Sequence, residues 1–131
     1  MIYLDSSALL KLLFEEHESP ALEEWLTPRA ATAKVSSEVA KVEVLRACRR
    51  MDPDSLPAAM TMLGQLDLVP LSGAVVELAA HAGDTSLRSL DALHLASALV
   101  LGTDLTAFIA YDRRLFAAAS DAGLETVQPG V

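Results

Sequence analysis

Asp5, Glu43, Asp91 and Asp112 are the side chains whose type and placing could do chemistry. Asp5 ends the apolar opening MIYL. Asp91 stands in the first turn of an almost wholly apolar stretch, LDALHLASALV, and Asp112 follows another, AFIAY. Glu43 borders a helical stripe formed by Ala40, Val44, Ala47, Cys48 and Met51. Four carboxylates meeting in one place repel, and the repulsion is costly unless a divalent cation neutralises it. Carboxylate oxygens suit hard ions, Mg²⁺ or Mn²⁺, rather than zinc. A site of that kind activates water and clamps a phosphodiester during in-line displacement.

Each acid also has a plainer reading. With Ser89 as N-cap, Asp91 complements a helix dipole, and Asp112 caps the helix after it. Glu43 pairs with Arg46 at i+3. Asp5 belongs to an ordinary polar turn. What separates the two readings is whether the fold brings the four together.

The elements that would position them follow from periodicity. Met1 to Asp5 reads as a short strand, and Ser7 as the cap of a helix carrying Leu9, Leu12 and Leu13. Ser19-Pro20 starts a second helix, buried through Leu22, Trp25 and Leu26. A strand is expected near 32–35, then a long helix from Ser36-Ser37 to about Met51. A helix over 54–66 leads to the strand Leu68-Val69, with Pro70 marking a strand end or sheet edge. Ser72 caps the next helix and Gly83 stops it. The sequence then predicts a central helix over 89–101, a strand over 106–110, a helix over 112–123 and a strand over 125–127.

Strands separated by helical connections of more than ten residues imply parallel pairing. The expected class is therefore α/β: one domain over 1–131, with a mainly parallel sheet of four to five short strands and helices on both faces. Asp5 and Asp112 then lie at strand C-termini, the edge where open α/β sheets bind ligands. A helix antiparallel to the 106–110 strand brings Asp91 to the same edge. Strand order is not readable from the sequence.

Composition narrows the classes. Hydrophobic residues make up 52% of the chain, yet no apolar run approaches the ~18 residues of a membrane span. MIYLDSSALL lacks the basic start of a signal peptide, and the lone Cys48 suits a reducing compartment, so the expected location is cytoplasmic. A net charge of −8 argues against binding nucleic acid through a broad basic surface. Lys11, Arg46, Arg49, Arg50, Arg113 and Arg114 remain candidates for gripping phosphates locally. His94, one turn after Asp91, could orient it or be a hydrogen-bonded core histidine.

Asp5-Ser6-Ser7-Ala8 after an N-terminal strand, Glu43 in SEVAKVEVLRA, Asp91 in LDALHLASAL and Asp112 in AYDRRL together resemble a PIN-domain nuclease. Within that family the chain is most similar to the VapC-type toxins of bacterial toxin–antitoxin pairs, over its whole length. The resemblance implies a Mg²⁺- or Mn²⁺-dependent endoribonuclease acting on single-stranded or loop RNA. It implies Asp5, Glu43, Asp91 and Asp112 as catalytic and metal-binding residues, with Ser6 as a supporting donor. It also implies a cognate antitoxin and a homodimer. Family members commonly carry Thr or Ser where Ala110 stands, which removes a hydroxyl near Asp112.

Two other classes use acids at strand ends. An aspartyl phosphatase needs a second acid at the position of Ser7, and a receiver domain needs a late lysine, whereas the last lysine here is Lys41. A non-catalytic α/β binding module whose acids are helix caps stays open on the residues alone.

Overall fold

A computed structural model describes all of residues 1–131. Its centre is β1 (Ile2–Leu4), flanked by β2 (Lys34–Ser37) and β4 (Ala107–Ile109), with β3 (Asp67–Val69) and β5 (Thr126–Val127) at the edges. The order β3-β2-β1-β4-β5 is parallel throughout. The expected α/β class and parallel pairing are borne out.

The strands are apolar on alternate residues in both directions, because both faces are covered. Ile2, Leu4, Ala107 and Ile109 face one layer, packing with Leu9, Leu22, Val44 and Leu63. That layer consists of α1 (Ser6–Leu13), α2 (Ser19–Leu26), α3 (Glu38–Met51) and α4 (Leu56–Gly64). Tyr3, Phe108 and Ala110 face the other, against Leu95, Ala98, Leu115 and Ala119. Those residues come from α6 (Ser89–Leu99) and α7 (Arg113–Asp121), and α5 (Gly73–His81) packs on α6. The Tyr3 and Phe108 rings stack at 5.1 Å on adjacent strands.

Several boundaries differ from expectation, each for a local reason. α1 is capped by Asp5, not Ser7: β1 stops at Leu4, so Asp5 keeps the extended backbone a cap requires. Ser19 lies inside α2, where its hydroxyl donates to the carbonyls of Lys11 and Phe14, and Glu18 holds the cap position. Ser89 is likewise inside α6, behind Arg88. The second strand lies at Lys34–Ser37 rather than 32–35, because Ser36 and Ser37 are extended and Ser37 caps α3. The 54–66 helix divides into a 3₁₀ turn, Pro53–Ser55, and α4. Gly83 ends the segment after α5 at φ +70, where a Cβ would meet Leu87 at 2.7 Å.

The chain runs outward from β1 through β2 to β3, then returns to the other side of β1 to build β4 and β5. The direction of winding therefore switches between β1 and β4. Beyond the carboxyl ends of two such strands a crevice opens, since their connections leave in opposite directions. Asp5 and Asp112 follow those two strands.

Candidate active site

All four carboxylates line one cleft of about 280 Å³ at this switch point, together with Ser6, Ser7, His94 and Arg50. A larger hollow of about 510 Å³ lies between α3 and α4, but Lys41 is the one titratable side chain in it. The chemistry therefore belongs to the smaller cleft.

Asp5 is almost fully buried. Its Oδ1 accepts from the Ala8 amide at 2.9 Å and from the Ser7 hydroxyl at 2.6 Å. Ser7 Oγ in turn accepts from the Tyr111 amide at 2.9 Å, tying the end of β1 to the end of β4. Burial pushes the Asp5 carboxyl up to about 6, although His94 and the two hydrogen bonds oppose the rise. Asp112 caps α7, its Oδ1 accepting from the Leu115 amide at 2.9 Å. Asp91, in the first turn of α6, makes no hydrogen bond to the protein and does not cap it. Burial raises its pKa, as do the neighbouring charges of Asp112 and Glu43, against His94 and Arg88.

Glu43 does not pair with Arg46. Its Oε1 accepts from Ser6 Oγ at 2.7 Å and from His94 Nε2 at 2.7 Å. A carboxylate only accepts, so Nε2 is the donor, and in the neutral ring Nδ1 then accepts a hydrogen bond from the Tyr3 hydroxyl at 2.7 Å. Tyr3 keeps that proton, because burial and the Asp5 charge hold its pKa well above the usual value. Burial acts against the Glu43 charge, but the hydrogen bonds from His94 and Ser6 outweigh it, and its pKa lies below the ordinary one. His94 thus orients Glu43 rather than Asp91.

Capping and site-building are compatible here. Asp5, Glu43 and Asp112 each commit one oxygen to protein donors and leave the other without one; Asp91 leaves both. Ser36 Oγ is the sole buried side-chain atom lacking a partner, so these free oxygens are open to solvent. In kind, they are the donor set of a hard divalent cation. In position, no three converge on one point as they stand. To share one cation, three of them would have to move closer.

The basic candidates separate. Lys11 lies outside the cleft, bound to Glu16 and Glu18 at 2.6 Å and lying over the Tyr111 ring. Arg114 borders a different hollow with Asp84 and Asp121, and Arg113 is exposed at the start of α7. Arg46 shares a surface hollow with Arg49 and Arg50, and of these Arg50 also reaches the cleft. Ala110 is buried in the apolar layer, its carbonyl accepting from Gln128. The hydroxyl next to the acids comes from Ser7 instead. Tyr3 read as a plain strand residue, and only its alternation with Ile2 and Leu4 marked it as facing the His94 side.

The sequence profile of the PIN domain family matches residues 2–121, and the chain belongs to that family. Among its relatives from Mycobacterium tuberculosis, it is 41% identical to Ribonuclease VapC47 over 99% of this chain and 98% of that one. It is 42% identical to Ribonuclease VapC35, again over 99% of this chain and 98% of the relative. Among solved structures, Mycobacterium tuberculosis VapC20, described as a sarcin-ricin loop cleaving toxin, superposes with a TM-score of 0.74. That match covers 98% of this chain and all of the other at 17% identity, which speaks to the fold.

Proposed function

We propose that this chain is an endoribonuclease toxin that hydrolyses RNA phosphodiesters with a divalent cation, Mg²⁺ or Mn²⁺, and is silenced by a cognate antitoxin. The observation that carries the reading is the convergence of Asp5, Glu43, Asp91 and Asp112 on one cleft, each with an oxygen uncommitted. Full-length relatives named as ribonucleases support the reaction class. When bound, a divalent cation supplies Lewis acidity, acidifying water and offsetting charge that develops on the phosphodiester.

The chain's own residues do the rest. Asp5, Asp91, Asp112 and Glu43 are the residues that would hold the ion. Ser6 and His94 fix the Glu43 carboxylate, so it enters the cleft ionised and in one orientation. Ser7 holds Asp5 and ties it to the end of β4 through the Tyr111 amide. Arg50 lines the cleft wall, where it would meet a backbone phosphate of the substrate.

A protein partner and a second copy of the chain would cover apolar side chains that are exposed on both helical layers, Val42 and Met60 on one and Val76 and Leu90 on the other. No helix is long and apolar enough to cross a membrane, in keeping with action on cytoplasmic RNA.

The cap-only alternative gains something from Asp5 and Asp112, which do cap helices. Single Asp→Asn changes at positions 5, 91 and 112 and Glu43→Gln decide between the two. The nuclease reading expects RNA cleavage to fall at least a hundredfold in each while the fold persists. A wild type that cleaves no RNA would favour the non-catalytic module, and cleavage retained in all four variants would remove these acids from the chemistry.

A further inference from the structure

We propose that Arg46, Arg49 and Arg50 form a track for backbone phosphates that runs out of the carboxylate cleft along the last turns of α3. The inference rests on the nuclease reading and adds how the substrate strand is held on one side of the cut bond.

These three arginines are the entire lining of a surface hollow of about 320 Å³. Arg50 lines both that hollow and the cleft, so the two adjoin at one residue. None of the three enters an ion pair or a side-chain hydrogen bond, and all are exposed. Lys11 is held by two glutamates and Arg29 lies over the Trp25 ring. Lys41 and Arg114 are unpaired too, but each borders its hollow without a second base. Bases in a last helical turn favour the helix dipole, which accounts for part of the placement. It does not account for three at i, i+3 and i+4, where like charges oppose one another across a turn. Nor does it account for an acid-free basic hollow in a chain of net charge −8.

The chemistry selects the ligand. Planar guanidinium forks bind phosphate oxygens in pairs and carry no base preference. One helical turn separates Arg46 from Arg50, about 6 Å of rise, so the trio engages two or three successive phosphates at most. A short track also reconciles RNA binding with the acidic remainder of the surface: attraction is confined to the strand that enters the cleft.

The test is binding of a single-stranded RNA oligonucleotide in EDTA across a salt series. It compares wild type, Arg46→Gln/Arg49→Gln, Arg46→Lys/Arg49→Lys, and a charge-matched control, Arg29→Gln/Lys34→Gln, at the opposite edge of the sheet. Each phosphate contact on a single strand contributes about 0.7 to the slope of log affinity against log salt. The Gln pair should lower the slope by about 1.4 and the affinity at ~0.1 M salt by roughly tenfold or more. The Lys pair should recover most of the slope, and the control should change neither. A Gln pair with wild-type slope and affinity overturns the track, the more so if that pair loses an acidic protein partner instead. Wild type that does not bind RNA in EDTA overturns it too, while cleavage in Mg²⁺, measured separately, decides the nuclease reading.

Discussion

Replacing Asp5 by Asn should stabilise the cation-free protein at neutral pH. The Asp5 carboxyl rises from 3.8 to about 6 because burial penalises its charge. Between those values the folded state binds more protons than the unfolded one, so stability falls as pH rises through the window. Below pH ~4 both states are protonated and the cost vanishes; above pH ~7 it is complete. Two units correspond to about 3 kcal/mol as an upper figure. Asn keeps an oxygen to accept from Ser7 and Ala8, and its amide group falls where Oδ2 opens to the cleft. In urea melts with EDTA at pH 7.5, Asp5→Asn should therefore gain about 1–3 kcal/mol over wild type, the gap closing by pH 4. Saturating Mg²⁺ should erase most or all of the gap, since wild type gains about 2.7 kcal/mol at a hundred times its dissociation constant. A variant less stable than wild type at pH 7.5 in EDTA, or a gap that ignores pH, would refute the account of a strained, buried charge.

The same physics reaches other measurements. Mn²⁺ affinity should drop about tenfold per pH unit below 6, where Asp5 must shed a proton to bind, as calorimetry would show; a flat profile contradicts its role as ligand. Tyr3→Phe removes the donor to His94 Nδ1 and should cost about 0.5–1.5 kcal/mol in a urea melt, with weaker Mn²⁺ binding through a loosened Glu43. Unchanged metal affinity there would confine Tyr3 to the core. Gly83→Ala should destabilise by about 1–2 kcal/mol, because its φ is +70 and the new Cβ meets Leu87 at 2.7 Å. A melt within a few tenths of wild type would argue against that turn.

Much of the site was readable before the fold was. Apolar runs ending in an acid, at Leu4-Asp5 and Ala110-Tyr111-Asp112, mark strand ends, and parallel pairing puts strand ends on one edge. Cap positions were harder, because DSS offers three capping side chains in a row and only the stopping point of β1 selects among them. Glu43 was legible as a boundary residue but not its partner: helical spacing points to Arg46, whereas His94 lies 51 residues away on another element. Tyr3 was hidden for the same reason, its hydroxyl meeting a ring 91 positions later. Strand order stayed closed because long helical connections tolerate either neighbour; it was the switch between β1 and β4 that made the edge a cleft.

The most direct test of the central claim is the chemistry of the ends left on RNA. Purified protein, incubated with RNA in Mg²⁺ or Mn²⁺ and in excess EDTA, should cleave only with the cation. It should leave a 3′-hydroxyl and a 5′-phosphate, as attack by activated water requires. Full cleavage in EDTA, or a 2′,3′-cyclic phosphate product, would contradict the carboxylate–cation account.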